Sequence, residues 1–157
     1  MPKTKIKEVG PVEKMRYFEG VGRRKSAIAR VRLYHDRLKN KPESTDSNTK
    51  KTTDLDIIVN NRPISKYFST EKDIKIAVSP LKALGLDFKI TSKITGGGTN
   101  AQAEAMRLGL SRAIIKQNES LAPRLKSFGF LTRDSRKVER KKPGLRKARR
   151  PQQWRKR

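Results

Sequence analysis

Apolar and polar residues alternate most cleanly between Ala27 and Tyr34. Ala27, Ala29, Val31 and Leu33 fall on one side, Ile28, Arg30, Arg32 and Tyr34 on the other. A period of two predicts a half-buried strand whose outer face carries arginine. Tyr17 to Gly22 reads as a preceding strand, and Gly22-Arg23-Arg24-Lys25 as the turn, which makes a hairpin with a basic tip. Residues 1–15 read as a flexible lead-in. His35 to Thr53 is polar throughout, and the segment 35–54 reads as a long surface loop or insertion.

Beyond the loop, Leu55 to Val59 is a short apolar strand and Asn60-Asn61 has turn chemistry. Ile64 to Phe68 predicts a short helical piece. Thr70 to Ala83 places Ile74, Ile76, Ala77, Val78 and Leu81 at near-helical spacing, and Pro80 predicts a break into two short helices ending at Gly85. Asp87 to Thr95 alternates again, with Phe88, Ile90 and Ile94 inward. Gly96-Gly97-Gly98 stops that strand. A helix starts at Thr99 or Asn100, where Thr99 and Gln102 have the spacing of a capping box. Ala103, Met106, Leu110, Ala113 and Ile114 form its apolar stripe. Ala101, Ala105 and Gly109 make a second face of small residues, suited to packing on the sheet or to close approach by another backbone. Ala122 to Phe128 predicts a last short helix, ended by Gly129.

These elements add up to an α+β domain over residues 16–130, with one sheet and helices packed on one face. After Phe130 the apolar periodicity is lost, and residues 131–157 read as an extended basic arm. Fully stretched, Arg133 to Arg157 would reach at most ~80–90 Å.

Charge sharpens this division. The chain has 157 residues, 40 of them Lys or Arg and 15 Asp or Glu, for a net +25. From Leu131 onward there are thirteen basic and two acidic residues, a net +11, which leaves +14 on the rest. Arg140 to Arg157 holds ten of those cations and no acid. Such a segment has little to bury, its charges repel, and nucleic acid is the abundant polyanion that neutralises it. The body is basic as well, which implies that it too faces phosphate. A hydrophobic content of 33% points to a small core between Tyr17 and Phe130, with stability completed by the partner.

Several classes of chemistry drop out. There is no cysteine, so disulfides and thiolate zinc sites are excluded. The lone histidine, His35, builds no metal cluster. Asp54 and Asp56 are close in sequence but adjoin a polar loop, and no nucleophile-base pair accompanies them. No stretch approaches the roughly 18–20 apolar residues of a membrane span. The start, MPKTKIKEVGP, lacks a secretory core, and a cytosolic location fits best. The glycine run is not a P-loop, because no Gly-Lys-Ser/Thr follows, nor does it have dinucleotide-fingerprint spacing. It is either a tight turn or a place where backbone amides meet phosphate.

The candidate RNA contacts are therefore basic. Arg23, Arg24 and Lys25 sit at the hairpin tip, and Arg30 and Arg32 extend them along the strand. Gly96, Gly97, Gly98 and Gln102 mark the helix start, with Arg107 and Arg112 farther along it. Arg133, Arg136, Arg140, Lys141 and Lys142 begin the arm, followed by Arg146, Lys147, Arg149 and Arg150. Asp134 and Glu139 stand among them, as ion-pair partners or as a helix cap. Arginine grips phosphate bidentately and stacks on bases, which suits structured RNA. Trp154 is a stacking group for a base or ribose, or a contact for a neighbouring protein.

Three blocks resemble one family. GVGRRKSAIARVRL (20–33), GGGTNAQAEAMRLGLSRAI (96–114) and LTRDSRKVERKKPGLRKARRPQQWRKR (131–157) are similar, in order and spacing, to the universal small-subunit ribosomal protein S9 family of bacterial type. The resemblance implies a β-α-β fold with a left-handed crossover, where the general rule would give a right-handed one. It implies no enzymatic activity and no cofactor. It implies a place in the head of the small subunit, on the 3′ major domain of its ribosomal RNA and beside neighbouring head proteins. Carried over by position, contact with peptidyl-site tRNA falls on Lys156 and Arg157, with Arg155 nearby. The family usually has an aromatic residue and Ser before the terminal Lys-Arg, where this chain has Trp154-Arg155. It usually has more glycine than Thr99-Asn100-Ala101 and Glu104 at the helix start. Two other classes remain to be weighed. A small-molecule kinase would need a catalytic acid and a metal ligand near Gly96. A nucleic-acid chaperone outside the ribosome would not co-sediment with small subunits.

Overall fold

The alternation at residues 27–34 becomes a strand because its small and branched residues can all be buried on one side. In the computed structural model, which describes residues 17–34 and 57–155, Ala27, Ala29, Val31 and Leu33 are buried while Ile28 and Arg30 are exposed. This strand, β2 (Ala27–Tyr34), pairs antiparallel with β1 (Tyr17–Arg24). The register sets Arg24 opposite Ala27, so the turn is only Lys25-Ser26, and Lys25 takes a positive φ of 49°. The turn is tighter than Gly22 to Lys25, and Arg23 and Arg24 belong to the strand.

On the other side of β2 lies β5 (Lys89–Thr95), antiparallel. β3 (Ile57–Val59) runs parallel to β5, and β4 (Arg62–Pro63) pairs antiparallel with β3 at the edge. The order β1-β2-β5-β3-β4 makes one mixed sheet of five strands among the described residues. β4 was not foreseen. Asn60 and Asn61 both adopt positive φ, 47° and 63°, the two-residue hairpin geometry that asparagine tolerates. The positions 35–54 read as a loop lie outside the described residues, as do 1–15.

The helices pack on the inner face. α1 (Ile64–Tyr67) is one turn. α2 (Glu71–Leu84) is a single helix of 14 residues containing Pro80, not two short ones. Proline removes the amide that Ile76's carbonyl would accept from, and the Ser79 hydroxyl donates to that carbonyl instead, at 2.8 Å. Gly85 closes the helix in the left-handed region, φ 64°. α3 (Thr99–Gln117) buries ten of its 19 residues between the sheet and α2. A 3-10 turn (Glu119–Leu121) leads to α4 (Ala122–Ser127), and Gly129 follows at φ 71°.

The core lies between sheet and helices. Leu33, Val59, Phe68, Leu81, Ile90, Met106, Leu110, Ile114 and Leu125 are fully buried there. The small face of α3 packs on β1. A Cβ at Gly20 would overlap the Gly109 carbonyl, and one at Gly22 the Ala105 carbonyl. Helix and strand therefore meet backbone to backbone, which fixes α3 against the hairpin. No buried side-chain nitrogen or oxygen lacks a partner among the described residues.

Candidate nucleic-acid interface

One end of the sheet gathers the hairpin turn, the glycine run, the Asn60-Asn61 turn and the start of α3. Gly96 and Gly97 both have φ 70°, a left-handed conformation that side chains disfavour. A Cβ on Gly96 would lie 2.6 Å from the Ser26 carbonyl oxygen, and one on Gly97 2.7 Å from the Ala27 Cβ. The glycines are thus required by contact with the β1–β2 turn. Gly98 has open space around it and serves as N-cap of α3. The capping box does not form: no side chain caps this helix, and Thr99 is already helical. Gln102 instead donates from Nε2 to the Gly96 carbonyl at 3.0 Å and accepts from the Tyr67 hydroxyl at 2.9 Å. Asn60 bonds both the amide and the carbonyl of Ile94, each at 2.9 Å, and extends the ladder beyond β3. These bonds hold the loop in one shape. Arg23, Lys25, Gly98, Thr99 and Asn100 are exposed at this end. So are Arg62, in the unforeseen strand β4, and Lys66, two cations that lie outside the basic runs of the sequence.

The outer sheet face carries Arg30, Arg32 and the exposed lysines Lys89 and Lys93, with Lys93 directly across from Arg30. Glu19 tempers it. Its two oxygens take Arg30 Nη2 at 3.0 Å and Arg32 Nε at 3.2 Å. Burial pushes the Glu19 carboxyl up, but hydrogen bonds and charge from the two arginines outweigh it and hold the group below its ordinary value. Arg32 also lies over the Tyr17 ring, 4.8 Å from its centroid. The stripe read from alternation is present, with one carboxylate shared between two of its arginines.

Two cations of α3 serve the protein itself. Arg112 Nη1 donates to the Val21 carbonyl at 2.7 Å, and Lys116 Nζ to the Glu19 carbonyl at 2.8 Å. Both reach β1, an edge strand whose unpaired carbonyls would otherwise invite another chain. Arg107 lies 5.8 Å from the Phe130 ring centroid. It helps line a shallow groove of about 560 Å³ with Lys72, Lys75, Ile76 and Ser79. Arg24 points to the helix side of the sheet and is bound to Glu104 and to the start of the arm.

From Arg133 to Arg155 the chain has no helix or strand, and every Lys and Arg in it is exposed. The path is not simply straight. Gly144 turns at φ 74°, the Arg146 amide donates to the Arg150 carbonyl at 2.8 Å, and Glu139 takes Arg149 at 2.8 Å and Lys142 at 3.1 Å. Asp134 accepts from the Arg136 amide and guanidinium, so both acids act as ion-pair partners. Trp154 is 96% exposed. Lys156 and Arg157 lie outside the described residues. Among the described residues no group of three or more His, Cys, Asp or Glu is placed to hold a metal ion, and no helix is long and apolar enough to cross a membrane. A family model described as ribosomal protein S9/S16 matches residues 22–157, from the end of the first strand through the arm.

Proposed function

The chain belongs to the ribosomal protein S9/S16 family, and on that footing we propose that it sits in the head of the small subunit, binds the 3′ major domain of its ribosomal RNA and touches peptidyl-site tRNA with its C-terminal tip. Membership by itself makes the protein a structural constituent of the ribosome that binds ribosomal RNA. The family is structural and not enzymatic, and its location is the ribosome, in the cytoplasm or an organelle. The cytoplasmic ribosome and neighbouring head proteins as further partners belong to the proposal, as does a left-handed path from β3 through α2 to β5.

The observation that supports the finer reading is the run of exposed cations from Arg133 to Arg155, which issues from the body where Arg24 binds Asp134, beside the hairpin turn. In this reading Arg23, Lys25 and the Gly96–Gly98 loop meet phosphate at that end, and Arg30, Arg32 and Lys93 meet it on the outer sheet face. Arg107 adds a contact beside Phe130. Arg140, Lys141, Lys142, Arg146, Lys147, Arg149 and Arg150 screen repulsion between RNA segments as they pack, and Arg155, Lys156 and Arg157 add cations beside tRNA. Deleting Arg155 to Arg157 tests the division. Purified subunits should keep the protein and hold peptidyl-site tRNA less well. Unchanged tRNA retention would remove the tip from the mechanism, and loss of the protein from subunits would mean that the tip anchors it.

A further inference from the structure

Arg24 was grouped with the hairpin cations by its place in the sequence, yet its side chain is only 13% exposed. Two of its three nitrogens donate hydrogen bonds and the third stands in an ion pair, and the partners come from distant parts of the chain. Nε donates to Glu104 Oε2 on α3 at 2.5 Å, Nη2 lies 3.0 Å from Asp134 Oδ2, and Nη1 donates to the Arg136 carbonyl at 2.9 Å. Asp134 is also held by the Arg136 amide, on Oδ1 at 2.9 Å, and by Arg136 Nη2, on Oδ2 at 2.7 Å. One guanidinium thus joins the end of β1, the first turns of α3 and the root of the arm.

We propose that Arg24 is a positioning residue rather than an RNA ligand: it fixes residues 134–136 on the body so that the arm leaves at a set point and angle beside the hairpin turn. The ordering of the root is then completed when the protein folds, and RNA meets an arm that already points along its path. Arginine is required because its planar fork holds two directed hydrogen bonds and an ion pair at once; lysine supplies the charge without the directions. Glu104 is the acceptor that holds Arg24 on the helix side. The proposal rests on the reading that the arm binds RNA, and its test keeps the two apart.

The full chain would be compared with Arg24→Lys and with Lys141→Gln, a change on the exposed part of the arm. Amide ¹⁵N relaxation without RNA reads the clamp directly. Arg24→Lys should drop order parameters at Asp134 to Lys137 from about 0.85 to below about 0.6, with the rest of the body unchanged. Binding to a 3′ major-domain transcript, measured across salt, reads the consequence. Arg24→Lys should bind about three- to tenfold more weakly with the same salt slope, whereas Lys141→Gln should reduce the slope by roughly 0.7–0.9 and leave the root ordered. Should Arg24→Lys disturb the fold, Asp134→Asn removes the acceptor on the arm side and should loosen the same amides. A root that stays rigid in both variants overturns the clamp; a loosened root with unchanged affinity, where truncation of the arm does weaken binding, overturns its role in presenting the arm to RNA. If truncation after Glu139 leaves RNA affinity and slope intact, the RNA reading fails, while the relaxation data still decide whether Arg24 holds the root.

Discussion

Arg24, Arg112 and Lys116 on the body and Arg140, Arg146 and Arg150 on the arm are the same chemistry in opposite circumstances. The first three donate to a carboxylate or to carbonyls of the protein's own strands. The arm cations stand exposed on a chain with no helix or strand, where Glu139 is the acid within reach. Net charge alone does not separate these uses. A cation on the body is drawn to an edge strand or a half-buried carboxylate because a packed fold supplies acceptors; a segment without a core supplies few, and its charges are left for another polyanion.

The largest effect that probes this contrast is steric. Gly22→Ala would drive a Cβ into the Ala105 carbonyl, backbone against backbone. It should cost about 3 kcal/mol or more, a fall in Tm of roughly 12–24 °C by thermal circular dichroism. Gly144→Ala on the arm should leave Tm in place. A loss below about 4 °C at Gly22 would mean that α3 is not seated on β1 as described.

Next comes the polyvalent term. Truncation after Glu139 removes ten cations and should flatten the log–log dependence of RNA affinity on salt by roughly 7–9, with little change in Tm. A change near 2 would show that most arm cations do not meet phosphate.

Smaller is the effect of Ser79→Ala, which strips Ile76's carbonyl of its donor within α2. The expected loss is about 1 kcal/mol, read from urea unfolding, while Ser135→Ala on the arm should be silent. Equal effects at the two serines would erase the distinction between body and arm.

The subtlest concerns pH. The Asp134 carboxyl is held well below its ordinary value of 3.8, first by hydrogen bonds from the Arg136 side chain and amide and then by the charges of Arg136 and Arg24. A depressed folded value gives stabilisation that is complete above 3.8 and lost only as pH falls toward the folded value. The arm root should therefore stay ordered through pH 3.8, and a carboxyl ¹³C titration should place the Asp134 midpoint clearly lower. A midpoint at the ordinary value would remove the electrostatic part of the clamp.

Much of the fold was legible because it follows local rules. Alternation located β2 and β5, and glycine located the ends of β5, α2 and α4. Two local rules misled. Pro80 predicted a break, but a neighbouring hydroxyl replaced the missing amide. Thr99 and Gln102 predicted a capping box, but Gly98 caps the helix and Gln102 is engaged by Tyr67 and Gly96. In both cases a second side chain, invisible to a rule about one position, changed the outcome.

The residues by themselves determined the strands and the long helix, the apolar stripe, the basic end and the resemblance to a ribosomal family, since each depends on periodicity, composition or motif order. Only the tertiary structure decided what each cation does. Glu104 and Arg136 lie 80 and 112 positions from Arg24, and Val21 lies 91 from Arg112. Acceptors that far along the chain become neighbours only when backbone meets backbone at Gly22, and that contact sorts the arginines that hold the protein from those left exposed.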